Sequence, residues 1–394
     1  MTPFLEENAP RLEESARSVM NMQWNDTYHF TAPNSTVYPW QWLWDSGFHS
    51  LIWEAIEDPR SSQELETLLS TQLNSGAIPH MTYWGDPDAA IEQWGIPGHS
   101  TITQPPLYGF ALATLIRNNH PIPLDVKRAV LSAFSYLFRT RMTSTGLLAS
   151  VHPWETGCDD SLRWNDWEPQ PFVKEEWNVR KQDMVKALHL VNDFAVSSPV
   201  FAVCSIGFNA LVAWNAMHAA LTLHDAHLLT QANALAARID LQYDEQLHTW
   251  TDCTPHGDPG SQSRTLDSLL PVLICGNDDR IDRVFHDILD PSGYGTPFGP
   301  AGAHLGEDHF DPDQYWRGPA WPQLTFLLIC AAIEHGREEQ AVQLTELLCR
   351  GALHSHFAEY WNPITGAGHG AVPQSWTALS YVALRMISTP QHTP

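Results

Sequence analysis

The sequence predicts an all-α fold, an (α/α)6 barrel with long loops at one end. Apolar residues recur at helical spacing along most of the chain, and strand-like alternation of apolar and polar residues is almost absent. The helical stretches form roughly twelve helices in six successive pairs, without a strict sequence repeat. Such pairs close into a ring, with apolar helices inside and more polar helices outside. The long loops then meet at one end of the ring and form a pocket.

Ordinary start and stop signals bound the individual helices. Residues 10–23 form an amphipathic first helix, and residues 44–57 carry apolar side chains at helical spacing until Pro59 stops the helix. A polar start then opens the partner helix over residues 61–73. Further helices are predicted over residues 107–119, 124–141, 200–225, 226–246, 265–273, 280–289, 323–335, 338–353 and 375–386.

Long loops rich in aromatic residues, proline and glycine separate these helices. They cover residues 34–49, 73–87, 99–106, 152–164, 306–322 and 358–370. No linker divides the chain, so residues 1–394 are predicted to form a single domain.

The charge balance argues against polyanionic partners. With 45 acidic and 21 basic residues, the chain has a formal net charge of -24. Affinity for nucleic acid depends on neutralising phosphates with Lys and Arg, so a chain of this charge repels DNA and RNA. We expect a soluble acidic enzyme that binds a small molecule.

The N-terminus and the cysteines indicate the compartment. The N-terminus is acidic and lacks the basic and apolar regions of a signal peptide, and no apolar run reaches the roughly 18 residues of a membrane span. The six cysteines show neither CxxC nor Cys/His spacing, which disfavours zinc and redox pairs. We therefore predict a cytoplasmic protein with reduced thiols, no contact with membranes, and an oligomeric state that stays open, including a homo-oligomer.

Tryptophan is unusually frequent, and many of the 17 tryptophans lie in loops. Flat aromatic faces stack on pyranose rings and neighbouring carboxyls move protons, so such loops are typical of a carbohydrate site. Core packing is the alternative for each of these side chains. The best candidates for stacking are Trp42, Trp44, Trp84, Trp316 and Trp321.

Three loop carboxyls are candidates for the chemistry. Asp159 follows a Gly-Cys pair in the segment HPWETGCDDSLRW, where a tight backbone can aim its side chain into a cavity, and Arg163 follows it. Glu359 precedes two aromatic residues and a Pro-Ile-Thr-Gly turn, and Asp45 lies between Trp44 and the start of a helix. As a pair, two such acids act as a general acid with a raised pKa and a general base for water. The third would bind two sugar hydroxyls.

Each carboxyl also has an ordinary structural interpretation. Asp159 or its neighbour Asp160 would cap the next turn, Glu359 would form a surface ion pair, and Asp45 would be a helix N-cap. Spacing alone does not assign three further polar residues of the loop motifs, Gln104, Arg317 and Gln374.

Metals and cofactors are not expected. Five histidines lie in loops but lack HxxxH spacing, which disfavours zinc; they are His80, His99, His152, His309 and His369. The acidic loop with Glu307, Asp308, Asp311 and Asp313 has the ligand type of calcium without the D-x-D-x-D-G pattern. Neither GxGxxG nor a P-loop is present, which argues against nucleotide cofactors.

Four motifs together resemble family 63 of the glycoside hydrolases. In chain order they are WLWDSGFH, HPWETGCDDSLRW, YWRGPAWPQL and EYWNPITGAGHG…QSWTAL, and the matches extend from Tyr38 to Leu379. The resemblance is strongest to short bacterial members that act on glucosylglycerate and mannosylglycerate. Trehalases are similar more distantly, through an ESGWDxSSRW motif that aligns with residues 155–164.

The resemblance implies an (α/α)6 barrel, an inverting mechanism and no cofactor. The acid of the family's ESGxD motif falls on Asp159 as general acid, and the acid of its E-Y/F-x-x-P-x-T-G motif falls on Glu359 as general base. The WDS aspartate that binds sugar hydroxyls falls on Asp45. The predicted substrate-binding residues are completed by Tyr38, Trp42, Trp44, Tyr83, Gln104, Arg163, Trp316, Arg317, Trp321 and Gln374.

One departure from the family concerns the residue after the acid. This chain has Asp160-Ser161-Leu162-Arg163-Trp164-Asn165 where the family commonly has Asn-Ser-Pro-Arg-Trp-Asp. The charge of Asp160 is expected to raise the pKa of Asp159, or to weaken the binding of an anionic aglycone such as glycerate.

The sequence therefore predicts an inverting α-glycosidase of a small soluble α-glycoside, with glucosylglycerate or mannosylglycerate preferred. A trehalase or another α-glucosidase of disaccharides is the main alternative. A sugar epimerase or isomerase on the same barrel, and a non-catalytic carbohydrate-binding protein, are alternatives from other classes.

Overall fold

The computed structural model describes residues 1–169 and 171–388, and helices dominate this part of the chain. The α-helices are α1 Pro3–Gln23, α2 Leu43–Ala55, α3 Arg60–Ser70, α4 Ile91–Trp94, α5 Tyr108–Arg117, α6 Leu124–Arg141, α7 Lys174–Lys186, α8 Ile206–Leu223, α9 Ala226–Asp240, α10 Asp278–Leu289, α11 Pro322–Glu334, α12 Glu338–His354 and α13 Leu379–Ser388. Short 3-10 helices cover Pro87–Ala90, Pro153–Thr156, Leu162–Trp164, Leu266–Ile274 and Ser375–Ala378.

The loops contain short two-stranded antiparallel ribbons. They pair β1 Trp24–Asn25 with β2 Phe30–Thr31, β3 Gln41–Trp42 with β4 Met81–Thr82, β5 His189–Val191 with β6 Phe194–Ser197, β7 Tyr243–Asp244 with β8 Thr249–Trp250, and β9 Tyr360–Trp361 with β10 Gly368–His369. These ribbons are too short to form a sheet layer, so the packing of the protein is helix on helix.

Six elements form a closed inner ring. In order around the ring they are α2, α5, α8, Leu266–Ile274, α11 and α13, and α13 packs back on α2. The first five of these elements are each followed along the chain by an outer helix, namely α3, α6, α9, α10 and α12. The sixth element, α13, packs on the outer helix α1, which comes from the start of the sequence. The predicted all-α (α/α)6 barrel is confirmed.

Burial explains which helices lie inside. Helix α8 is buried around most of its circumference, whereas outer helix α10 buries one stripe, formed by Ile281, Val284, Phe285 and Ile288. Within the described part of the chain, α8 is also the one helix long and apolar enough by composition to cross a membrane, and 72% of it is buried inside the barrel. Core packing accounts for its apolar composition.

Some predicted elements differ from those observed. Helix α1 begins at Pro3, because Thr2 caps it by accepting a hydrogen bond from Leu5 N at 3.4 Å, and Pro10 lies within the helix. The stretch predicted as a helix over residues 265–273 is a 3-10 helix with Pro271 inside it. Proline has no N–H to bond the carbonyl four residues back, which disfavours a regular α-helix there. Helix α7 was not predicted.

One hydrophobic core extends through the barrel. Its buried side chains run along the sequence from Leu5 to Leu384, so both ends of the described chain pack into the same core. We keep the interpretation of the chain as a single domain.

The contact between α5 and α8 generates a stability prediction. A Cβ at Gly109 on α5 would lie 2.4 Å from the carbonyl oxygen of Asn215 on α8, closer than packing allows. Gly109→Ala is expected to force these inner helices apart and to lower the free energy of unfolding by about 1–3 kcal/mol. Denaturant unfolding measures this change in the free energy of unfolding. Gly276→Ala is the control, because a Cβ at Gly276 meets nothing within 4 Å. Equal stability of the two variants would contradict the packing described.

Candidate active site

A cavity of about 420 Å³ opens where the long loops meet. Each lining residue lies in or beside a loop that precedes α2, α5, α8, α11 or α13, so these loops gather at one end of the inner ring. The lining residues are Pro33, Val37, Tyr38, Pro39, Trp40, Trp42, Trp44, Asp45, His80, Met81, Tyr83, Ala89, Gln93, Gln104, Trp154, Gly157, Asp159, Tyr315, Trp316, Glu359, Gln374 and Trp376. The predicted loop pocket is therefore present, and it brings together Asp45, Asp159 and Glu359.

A tight turn points Asp159 into the cavity. The 3-10 helix Pro153–Thr156 ends at Gly157, whose φ of 77° is left-handed and whose Cβ, if present, would lie 2.6 Å from the Trp44 ring. Only glycine fits this position without displacing the indole. The backbone after the turn is fixed by Trp177, whose indole N–H donates to the Asp159 carbonyl at 3.2 Å.

The Asp159 carboxyl itself is held by no partner. Within the described residues it makes no hydrogen bond and no ion pair, although its side chain is largely enclosed. Burial raises its pKa to about 7, and the negative charges of Asp160 and Glu359 act in the same direction while Lys181 opposes them. The predicted effect of Asp160 on Asp159 therefore has the expected sign but is smaller than that of burial.

The other two acids of this loop are ion-paired. Glu155 is fully buried and accepts hydrogen bonds from the two terminal guanidinium nitrogens of Arg141, at 2.6 and 2.9 Å. Asp160 is also buried and forms an ion pair with Lys181 of α7. Lys181 therefore offsets the negative charge that Asp160 would present to an anionic aglycone, and the effect of Asp160 on aglycone binding stays a prediction.

A short ribbon and a glycine position Glu359. Its side-chain Oε2 accepts hydrogen bonds from Ala371 N at 2.9 Å and from the Tyr38 hydroxyl at 3.2 Å. Gly370 lies so close that a Cβ there would be 2.3 Å from the same oxygen, and its φ of 70° also favours glycine. Burial raises the pKa of Glu359, and the two hydrogen bonds oppose this shift. Both donors favour the ionised carboxylate.

Asp45 is the third acid of the cavity. It is buried at the start of α2, and burial raises its pKa to about 7. Its Oδ1 is among several buried polar atoms of cavity-lining residues that have no partner in the described residues; the others include Trp42 Nε1, Trp316 Nε1, Gln374 Oε1 and His80 Nδ1. Buried polar atoms usually have partners, so these atoms are suited to bind the hydroxyls of a ligand.

Stacked aromatic rings build one wall. Trp316 lines the cavity and stacks on Trp321 at 3.7 Å with an angle of 7° between the rings, and Trp321 stacks in turn on Tyr360 at 4.6 Å. Trp316 also has a left-handed φ of 61°, which costs a bulky residue on the order of 1–3 kcal/mol. The stack supports this strained residue.

Four predicted contact residues do not line the cavity, and these predictions are corrected. Arg163 is buried and binds Asp252 and Asp267. Arg317 is buried and binds Glu168, at 2.8 Å. Two predicted stacking residues also lie outside the cavity. Trp321 packs behind Trp316, and Trp84 donates a hydrogen bond to Gln41 at 2.7 Å. The reason is common to all four, since partners distant in sequence engage these side chains.

The remaining predicted residues do face the cavity. They are Tyr38, Trp42, Trp44, Tyr83, Gln104, Trp316 and Gln374. The sequence reasoning missed five aromatic lining residues or gave them no role in binding: Trp40, His80, Trp154, Tyr315 and Trp376. Trp40, Trp154 and Tyr315 stand inside or beside the quoted motifs, which was the available signal; His80 was considered only as a metal ligand.

The acidic loop is not arranged as a calcium site. Glu307 binds Arg264 at 2.7 Å, and Asp313 accepts hydrogen bonds from Asn362 at 2.7 Å and His369 at 2.9 Å. No group of three or more His, Cys, Asp or Glu side chains converges on a metal position in the part of the chain that the structure describes. The calcium hypothesis is not supported by this geometry.

The unpartnered Asp159 generates a prediction about stability. Its pKa of about 7 in the folded protein exceeds the ordinary 3.8, so between these values the folded carboxyl keeps a proton that the unfolded chain has released. Wild-type stability therefore loses up to about 4 kcal/mol from this group as pH rises from about 4 to about 8. Because asparagine does not titrate, Asp159→Asn is expected to be more stable than wild type at the higher pH and to lose this advantage at the lower.

Thermal unfolding of both proteins at the two pH values measures the effect. Asp279→Asn is the matched control, because this residue is exposed on outer helix α10. A stability difference between Asp159→Asn and wild type that is the same at both pH values would contradict the raised pKa.

Sequence comparisons place the chain in a family. The family model described as mannosylglycerate hydrolase MGH1-like glycoside hydrolase domain matches residues 38–377. A mannosylglycerate hydrolase of Rubrobacter radiotolerans is 27% identical over 429 residues, covering 94% of this chain and 96% of its own. A glucosylglycerate hydrolase of Mycolicibacterium hassiacum is 25% identical over 429 residues, covering 92% and 96% respectively.

Solved structures share the fold. The family 63 mannosylglycerate hydrolase of Thermus thermophilus in complex with Tris matches with a TM-score of 0.83 and 23% identity, over 94% of this chain and 99% of that chain. Its complex with Tris and D-glycerate matches with a TM-score of 0.80 and 22% identity over the same shares, 94% and 99%. Neutral trehalase Nth1 of Saccharomyces cerevisiae is more distant, with a TM-score of 0.58 and 12% identity over 97% and 80%. The family model and these likenesses confirm the resemblance that the motifs predicted: the chain belongs to the mannosylglycerate hydrolase MGH1-like family and is a glycoside hydrolase.

Proposed function

We propose that this protein is an inverting α-glycosidase that hydrolyses an α-glycoside of glycerate, with Asp159 as general acid and Glu359 as general base. The observation that carries the proposal is the contrast between two carboxyls that face one cavity. Asp159 has no partner among the described residues, whereas Glu359 accepts two hydrogen bonds. The lack of a partner favours the protonated form of Asp159, and the two hydrogen bonds favour the ionised form of Glu359.

Asp159 donates the proton to the leaving oxygen. Its pKa of about 7 leaves a large protonated fraction near neutral pH, while the acid is still strong enough to give up its proton in the transition state. The glycerate hydroxyl then departs neutral rather than as an alkoxide. Trp177, which binds the Asp159 carbonyl, fixes the position of the acid.

Glu359 takes a proton from the attacking water. Inverting enzymes place the two carboxyls about 6.5–9.5 Å apart, so that this water fits between the base and the anomeric carbon. The two acids come from separate loops, one joining α6 to α7 and the other preceding β9, which suits a position on either side of the sugar. The Tyr38 hydroxyl and Ala371 N–H orient the base carboxylate.

The sugar lies between polar and aromatic groups. Unpartnered Oδ1 of Asp45 and Oε1 of Gln374 accept from sugar hydroxyls, and Trp42 Nε1 donates to another. Trp316, supported by its stack on Trp321, offers a flat face to the ring.

The substrate class rests on the relatives and on charge. One named relative is a mannosylglycerate hydrolase and another a glucosylglycerate hydrolase, so the proposed sugar is either mannose or glucose. D-Glycerate is bound in a solved structure of the Thermus enzyme. The ion pair of Asp160 with Lys181 removes a charge that would repel glycerate.

Membership of a hydrolase family sets aside the epimerase or isomerase and the non-catalytic binding protein. The alternative substrate specificity is that of a trehalase or of another α-glucosidase that acts on disaccharides. The cytoplasmic location and the oligomeric state stay predictions.

Replacing either acid tests the assignment. Asp159→Asn and Glu359→Gln are each expected to lower kcat on α-glucosylglycerate or α-mannosylglycerate by about 100- to 10,000-fold, because general acid and base catalysis contribute that much. Initial rates of sugar release measure the loss, and circular dichroism verifies the fold. The matched controls Asp279→Asn and Glu338→Gln change exposed acids on outer helices and should retain wild-type rates. Near-wild-type turnover of either active-site variant would exclude that residue.

A further inference from the structure

A glycerate substrate creates an electrostatic problem in this cavity. Three carboxyls, those of Asp45, Asp159 and Glu359, line it, and no lysine or arginine is among its lining residues in the described chain. Glu359 is proposed to be ionised, and it repels an entering carboxylate in an environment of low dielectric, as do Asp45 and Asp159 whenever they are ionised. If the proposed function is correct, on which this inference rests, a cation must meet the aglycone at the edge of the cavity.

The buried cations near the site are already engaged. Arg141 binds Glu155, Lys181 binds Asp160, and Arg317 binds Glu168. Arg163 binds two buried aspartates. Moving any of these cations toward a ligand would leave a buried carboxylate unpaired, which is strongly unfavourable.

Lys174 differs from these cations in its exposure and in its lack of an ion pair among the described residues. It is the first residue of α7, it is exposed, and within the described residues its ammonium forms no ion pair or hydrogen bond. Its Nζ lies 4.6 Å from the ring centroid of Tyr315, and Tyr315 lines the cavity. The ammonium therefore stands at the rim, over an aromatic wall residue.

The charge of Lys174 also reaches the two proposed catalytic acids. Burial raises the pKa of both Asp159 and Glu359, and the Lys174 ammonium opposes that shift at each of them. The ammonium, in contact with Tyr315 of the cavity wall, therefore lies beside the cavity in which the glycosidic oxygen must be protonated. In any glycerate glycoside the carboxylate is only a few bonds from that oxygen.

We propose that Lys174 binds the carboxylate of the aglycone and so makes the enzyme select acidic over neutral aglycones. Its long side chain and three N–H donors allow a charge-assisted hydrogen bond to a carboxylate without breaking an existing ion pair. The sugar of the substrate is bound by the carboxyls and aromatic rings that line the cavity. The carboxylate of the aglycone meets Lys174 at the rim.

A pair of substrates that differ in one charge tests this role. The first is the α-glycoside of glycerate, and the second is its methyl ester, which keeps the shape but is neutral. For wild type, the ratio of kcat/KM for the acid to that for the ester is expected to exceed unity. In Lys174→Met this ratio should fall by about 10- to 100-fold, the equivalent of one lost hydrogen bond to a charged group. Lys174→Arg should restore most of it.

The dependence of this ratio on salt provides a second measurement. Because Lys174 is exposed, raising the ionic strength should lower the wild-type ratio and leave that of Lys174→Met nearly unchanged. Lys186→Met is the matched control, since this exposed lysine at the other end of α7 pairs with Asp183 on the surface.

The outcomes separate the two proposals. A ratio that is the same in wild type and Lys174→Met, or that is independent of salt in wild type, overturns the role of Lys174 and leaves the proposed function intact. A wild-type enzyme that hydrolyses neither the acid nor the ester overturns the proposed function and the role of Lys174 with it.

Discussion

The cost of burying a charge without a partner determines how this site is built. In the loop before α7, Glu155 is paired with Arg141 and Asp160 with Lys181, so the loop is tied to α6 on one side and to α7 on the other. Asp159 lies between these two acids in the sequence and pairs with no cation among the residues that the structure describes. The ion pairs fix the backbone, and the Asp159 carboxyl retains its proton to a higher pH than an ordinary aspartate because ionising it in the cavity is unfavourable.

Tryptophans form two layers around the cavity. Trp42, Trp44 and Trp316 line the cavity, whereas Trp321 stands behind Trp316 and Trp177 binds the backbone at Asp159. The outer layer keeps the inner one rigid, since stacked rings and indole hydrogen bonds leave few alternative rotamers. The high tryptophan content therefore reflects both the ligand surface and the support it needs.

Local sequence patterns were sufficient for the barrel and for the three carboxyls that face its cavity. Asp45, Asp159 and Glu359 stand in loop motifs that each precede an inner element, so ring closure brings them together. Helix α7 escaped prediction because only four of its side chains are buried, and Lys181 is one of them. The partners of Arg163 could not be predicted either, since Asp252 and Asp267 lie 89 and 104 residues away along the chain. Long-range pairing of polar side chains leaves no periodic signal.

The stereochemistry of the released sugar tests the account most directly. Proton NMR recorded in the first minutes of hydrolysis of α-glucosylglycerate or α-mannosylglycerate distinguishes the anomers before mutarotation mixes them. An inverting pair formed by Asp159 and Glu359 predicts that the β-anomer appears first. Initial release of the α-anomer would contradict this arrangement of acid and base.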